Sequence, residues 1–312
     1  MTEPVRHRVE SSGAALNVLT LGDPRNPPLV FVHGIRDVAA SLLVVAQPFA
    51  DRWYVVLPEL RGHGDSDNCD AYSIWQFIYD LYRVIDALAL KLPVVVGHSL
   101  GGQIAAHHAA MFPEQVRALV IVEGLGPPAR PHDGDANARL VAQRQQLLAT
   151  MQLPEHARPL PDVEFAADRL RANNPRLPPE RALWLAQHGT AQGADGKLYW
   201  KFDQRVGQIW LTADPDLNRR RWQQVQCPAL IVTADLAHEY WTSQMPIPGW
   251  DGRFADHELA DRVRCFRNAA HVRIAGAGHM VHFDAPDQLV DAIERFLQRL
   301  TMPSRAIRPS NP

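Results

Sequence analysis

Short aliphatic runs alternate along the chain with longer stretches of helical periodicity. Ala15 to Leu21, Leu29-Val30-Phe31-Val32, Tyr54-Val55-Val56-Leu57, Val94-Val95-Val96 and Leu119-Val120-Ile121-Val122 are rich in β-branched and aliphatic residues and read as strands, most of them buried. Between the third and fourth, Ile74, Phe77, Ile78, Leu81, Ile85 and Leu88 recur at helical spacing, and Ser73 with Gln76 fits a capping box. Ile104, Ala105, Ala109 and Phe112 form the apolar face of a second helix that ends before Pro113. Alternation of helices with continuously apolar strands predicts a parallel sheet covered on both faces.

The pattern changes after Gly126. Up to about Gln226 prolines are frequent and strand-like runs are few, which predicts an inserted helical cap whose large apolar residues are Trp184, Trp200, Phe202 and Trp210. Alternation resumes with a strand from Pro228 that ends near Asp235, then with Val272-Arg273-Ile274. A last helix starts near Pro286, which suits a first helical turn, and turns Leu289, Ile293, Phe296, Leu297 and Leu300 to the core. The expected organisation is a core built from residues 1–126 and 227–300, a cap over 127–226, and a disordered tail over 301–312.

Composition narrows the function classes. The chain has 312 residues, 46% of them hydrophobic, enough to bury a large core. A net charge of −2 and no basic patch argue against nucleic acid. No apolar run reaches the length of a membrane span. Residues Met1 to His7 lack the apolar core of a secretory signal, and Cys69, Cys227 and Cys265 stand far apart in no metal-ligand spacing, as expected of reduced thiols in a cytoplasmic protein. A small-molecule partner, and a monomer or small homo-oligomer, are the expectation.

The chemistry concentrates at Gly97-His98-Ser99-Leu100-Gly101. On a strand–turn–helix, Gly-x-Ser-x-Gly is a nucleophile elbow: the tight turn strains the backbone of Ser99, lifts its hydroxyl clear of the sheet and aims the following helix N-terminus at the reacting group. Ligands of parallel sheets bind beyond the C-terminal strand ends. His33-Gly34-Ile35, Ser99 and Glu123 all lie at such ends.

Four segments, taken in order, resemble the α/β-hydrolase family: His33-Gly34 after a strand, Arg61-Gly62-His63-Gly64-Asp65-Ser66, the Ser99 elbow, and Gly278-His279. The resemblance covers roughly residues 12–300. It implies an eight-stranded, mostly parallel sheet, helices on both faces, a helical cap after the sixth strand, and a nucleophile–acid–histidine triad. It makes Ser99 the nucleophile and His279 the general base. Serine at this position argues against the dehalogenases and epoxide hydrolases of the family, which place aspartate there. The acid departs from the common pattern. Ala237 stands at the usual position after the strand that follows the cap, with Asp235 two residues early and Glu239 two late. Some members take the acid from the preceding strand instead, where Glu123 stands. Glu123 is the first choice and Asp235 the alternative.

The backbone N–H groups of Leu100 and Ile35 are the expected oxyanion donors. Arg36 lies within reach of the pocket mouth, where it would favour an anionic substrate or else pair with a loop acid such as Asp37. His33 and His98 are read as structural, His282 as a surface or packing residue, and the Glu59, Arg61 and Asp65 loop as scaffold. Tyr240-Trp241 belong to a stretch longer than usual for the family, which would narrow the entrance. The expected activity is that of a serine esterase on small or medium carboxylic esters, needing no metal or organic cofactor. Lactone hydrolysis and cleavage of a carbon–carbon bond in a ring-fission diketone use the same machinery. Acyl transfer to an alcohol or peroxide is a further possibility, as is a ligand-binding protein on a hydrolase scaffold.

Overall fold

A computed structural model describes residues 3–131, 133–153, 158–212 and 214–301. Of the tail expected to be disordered, residues 302–312 lie outside the described residues.

The strands are β1 (Val5–Ser11), β2 (Ala14–Leu21), β3 (Pro28–Val32), β4 (Tyr54–Pro58), β5 (Val94–His98), β6 (Ala118–Val122), β7 (Thr190–Gln192), β8 (Leu198–Trp200), β9 (Ala229–Ala234) and β10 (Ala269–Ile274). Eight of them form one sheet in the order β1-β2-β4-β3-β5-β6-β9-β10, and β7 pairs with β8 apart from it. Every neighbour pairing from β4 to β10 is parallel, while β2 runs antiparallel to both β1 and β4. Alternation of elements predicts the parallel sheet, and the α/β-hydrolase resemblance implies its eight strands.

Successive side chains on a strand point to opposite faces, so each central strand feeds two cores. On one face Val30, Val32, Val95, Leu119, Ile121 and Ile231 pack under the helices Ile74–Ala87 and Leu100–Met111, through residues such as Phe77, Leu81 and Ile104. On the other, Phe31, Val94, Val96, Val120 and Val232 meet Leu289, Ile293, Phe296 and Leu297 of the final helix, Pro286–Thr301. Ile121 and Ile231 are 1% and 0% exposed, and burying such a side chain contributes about 1.5–3 kcal/mol. The sheet that carries the site is therefore clamped from both sides. The Ile74–Ala87 helix opens on the expected capping box, with Gln76 Oε1 accepting the Ser73 N–H at 2.8 Å.

One strand of the eight-stranded sheet was not foreseen. In β1, Val-Arg-His-Arg-Val-Glu-Ser, polar residues dominate and only Val9 and Ser11 are buried. It is an edge strand folded back on β2 through Gly13, whose φ of 73° suits a tight turn.

Between β6 and β9 lie the helices Ala136–Met151, Val163–Asn173, Pro179–Gly189 and Pro215–Trp222, with the β7–β8 pair among them. Leu160, Ala166, Ala167, Leu177, Ala182, Leu185 and Ala186 close a small core of their own and reach Phe283 of the main body. Residues 198–208 are stitched to the loop after β4. Gly64 N–H donates to the Lys201 carbonyl at 2.6 Å, Asp203 N–H to Gly62 at 2.8 Å, and the Tyr72 hydroxyl to Asp203 at 2.9 Å. Beneath that loop Arg61 grips Asp80 with two hydrogen bonds of 2.7 and 2.6 Å, both side chains almost wholly buried. Glu59 accepts from Asn17 Nδ2 and from the Asp65 and Ala39 amides.

Candidate active site

The elbow forms because β5 must pass into the Leu100–Met111 helix with almost no room. A Cβ on Gly97 would collide with the Gly101 carbonyl, and a Cβ on Gly101 with that of Val32. Ser99, between them, sits at φ 51° and ψ −116°, a conformation L-residues avoid. Glu123, at the end of the neighbouring strand, has a φ of 49°. The register pairs His98 with Val122, so the next residue of each strand, Ser99 and Glu123, emerges side by side at the sheet's C-terminal edge. Ser99 N–H donates to Val122 and Glu123 N–H to Val232, both at 2.9 Å.

His279 arrives from the loop after β10. Its Nε2 lies 3.0 Å from Ser99 Oγ and its Nδ1 3.2 Å from Glu123 Oε2. The second Glu123 oxygen accepts the Ala234 N–H at 2.7 Å. With Glu123 ionised, these bonds define one tautomer: Nδ1–H donates to the carboxylate and Nε2 accepts from the serine hydroxyl. His279 and Glu123 are 3% and 6% exposed. Burial pushes the imidazole pKa down to about 3 and the carboxyl up to about 8, the latter against the Ala234 N–H, which lowers it.

The other acids stand elsewhere. Asp235 accepts the Gly276 N–H at 2.9 Å, bracing the turn after β10. Glu239 pairs with Arg176 at 2.8 Å, and Arg176 also holds Asp284 at 2.8 Å. Asp284 in turn accepts the Gly278 N–H, next to His279, at 2.7 Å. Ala237 is buried.

Neither the Leu100 nor the Ile35 amide has an acceptor among the described residues. Leu100 opens its helix, where N–H groups are free by construction. The loop carrying Ile35 is pinned on both sides. His33 Nε2 accepts the Leu60 N–H at 3.0 Å, and His63 Nε2 accepts the Arg36 N–H at 2.9 Å. Arg36 makes no ion pair with Asp37, which accepts instead from Ser41 Oγ and the Val38 amide. The Arg36 guanidinium is exposed and lies 5.9 Å from the centroid of the Phe202 ring.

Three ring contacts lay beyond sequence reasoning. Tyr240, on the helix His238–Gln244, stacks on the His279 ring with centroids 4.0 Å apart and planes 12° apart, and Trp241 meets the same ring edge-on at 5.1 Å. The unusual length of the segment after β9 signalled an obstruction near His279 but no ring stacking. His282, read as surface or packing, is fully buried against His98, with ring centroids 4.6 Å apart.

A mostly parallel eight-stranded sheet with a hydroxyl–imidazole–carboxylate line at the C-terminal edge of its parallel strands defines a hydrolase class. The sequence matches the alpha/beta hydrolase fold family over residues 27–286, and the chain belongs to that family. It is 26% identical over 293 residues to the serine hydrolase-like protein of Danio rerio, covering 89% of this chain and 83% of the relative. Esterase YbfF of Escherichia coli is 23% identical over 286 residues, covering 87% and 93%. The solved thioesterase domain from the curacin biosynthetic pathway superposes with a TM-score of 0.78 at 25% identity, covering 94% of this chain and all of that one. The protein is a hydrolase of this fold. Among the described residues no helix is long and apolar enough to cross a membrane.

Proposed function

We propose that this protein is a serine esterase that cleaves small or medium carboxylic esters through an acyl-enzyme. The unbroken hydrogen-bonded line from Ser99 Oγ through His279 to Glu123 carries this reading. Ser99 attacks the ester carbonyl while His279 Nε2 takes its proton. The imidazolium that forms is stabilised by Glu123 across the Nδ1 hydrogen bond. The Leu100 and Ile35 amides receive the oxyanion; one such donor contributes about 10²–10³ in turnover. His279 then protonates the departing alcohol, and water, deprotonated by the same imidazole, releases the acid and restores Ser99. The reaction needs no metal and no organic cofactor. Arg36, exposed and without an ion pair among the described residues, favours esters that carry a carboxylate.

A pure binding protein would have no use for a strained serine hydrogen-bonded to a buried imidazole. The test is a series of p-nitrophenyl esters from acetate to octanoate, run beside labelling with a fluorophosphonate. Ester turnover and labelling are expected from the wild type, and Ser99→Ala should lose about 10⁶ in turnover and all labelling. An unlabelled wild type would sink the proposal. A labelled protein silent on every ester but active on lactones or a dienoic diketone would move the substrate class while keeping the machinery.

A further inference from the structure

Around His98, next to the elbow serine, lies a cluster that the ester chemistry does not use. Asp37, His98 and His282 each offer one ligand atom, and these atoms lie within 4.8 Å of one another. His98 and His282 are 3% and 0% exposed. His98 Nδ1 and His282 Nδ1 have no hydrogen-bond partner among the described residues, and His282 Nε2 faces Asp37 Oδ2 at 3.7 Å, an ion-pair contact longer than a hydrogen bond. Buried imidazole nitrogens without partners are costly, so their persistence together calls for an occupant.

We propose that Asp37, His98 and His282 bind a divalent transition-metal ion, with zinc the best match to two nitrogens and one carboxylate oxygen. The orientation of His98 is that of a metal ligand. Its Nε2–H donates to the backbone carbonyl of His279 at 2.9 Å, leaving Nδ1 as a bare lone pair. Donation of the second ring N–H to a carbonyl is the usual support behind a metal-bound histidine. Gly34 keeps the space beside that lone pair clear, since a Cβ there would stand 3.0 Å from Nδ1. Asp37 is likewise braced, by the Ser41 hydroxyl at 2.7 Å and the Val38 amide at 2.9 Å. The 3.7 Å between His282 Nε2 and Asp37 Oδ2 is close to the roughly 3.4 Å edge of a tetrahedron with zinc-like bond lengths. Water supplies the fourth ligand, and the partly exposed Asp37 marks the side from which the ion arrives. The ion's task is structural: through His98 it fixes the carbonyl of His279, and so the loop that presents the imidazole to Ser99.

The test is metal binding by the full chain after stripping with a strong chelator. Titration with Co²⁺ should show one equivalent bound, with the visible absorption of a four-coordinate nitrogen and oxygen site. Zn²⁺ should displace the Co²⁺ and raise the melting temperature with increasing free metal. His282→Asn and Asp37→Asn should each weaken binding by more than about tenfold. His279→Gln, which removes the only triad imidazole, should leave binding intact. Failure of the stripped wild type to bind overturns the proposal whatever the variants do, and points to an internal water in the same place. Binding that survives His282→Asn, or disappears only in His279→Gln, overturns it too, by placing the metal elsewhere.

Discussion

The ends of β6 and β9 are neighbours on one edge of one sheet, and each offers a carboxylate. At the end of β6, Glu123 is buried, strained at φ 49°, and aimed at His279. At the end of β9, Asp235 faces a turn and spends an oxygen on the Gly276 amide. The segment after β9, where the family resemblance would put the acid, instead leads into a helix whose Tyr240 and Trp241 cover the imidazole. One strand end thus supplies a hydrogen-bonding carboxyl to His279 and the other supplies an aromatic wall. A carboxylate is useful to an imidazole only where the backbone delivers it within hydrogen-bond reach, and strain is the mark of the one that is.

The sharpest way to break this contrast is to neutralise each acid in turn. Glu123→Gln should lower kcat by about 10³–10⁴, the scale seen when a triad acid becomes an amide. Esterase assays of Glu123→Gln and Asp235→Asn side by side decide it, and the reverse ranking would hand the triad to β9. A second outcome sharpens the same point through stability. The Glu123 carboxyl, raised by burial to about 8 from an ordinary 4.5, keeps its proton in the folded chain over a range where the unfolded chain has lost it. Its contribution is therefore complete below the unfolded value and lost as pH rises through the folded one. Melting temperatures from pH 5 to 8 should show Glu123→Gln gaining on the wild type as pH rises, and parallel curves would refute it. Tyr240→Ala tests the other strand end. A stacked aromatic pair contributes about 0.5–1.5 kcal/mol, so kcat/KM should fall roughly twofold to twelvefold, with labelling of Ser99 retained. Asp235→Asn should change turnover by less than about twofold, since its interaction with the Gly276 amide survives as a neutral hydrogen bond.

What was legible in the chain follows the same division. The central strands declare themselves because burial on both faces demands β-branched runs, and the elbow because its glycines have no substitute in so tight a crossing. Ser99 and His279 stand in local motifs and are visible there. The choice between Glu123 and Asp235 is not local. It depends on β6 lying between β5 and β9, and on which carboxylate the strained backbone aims at an imidazole far along the chain. Polar β1 escaped notice because an edge strand buries little, so alternation leaves a weak trace. Tyr240 and the buried His282 were residues without a pattern, and only packing gives them neighbours.

The three groups of the proposed triad are delivered at very different times. Ser99 and Glu123 leave the ribosome close together, but the imidazole follows Glu123 by 156 residues and the serine by 180. Throughout most of synthesis the hydroxyl has no base beside it and is an ordinary alcohol. The nascent polypeptide is therefore harmless to any ester it meets, and a translation product cut short before His279 stays inert however well its first strands assemble.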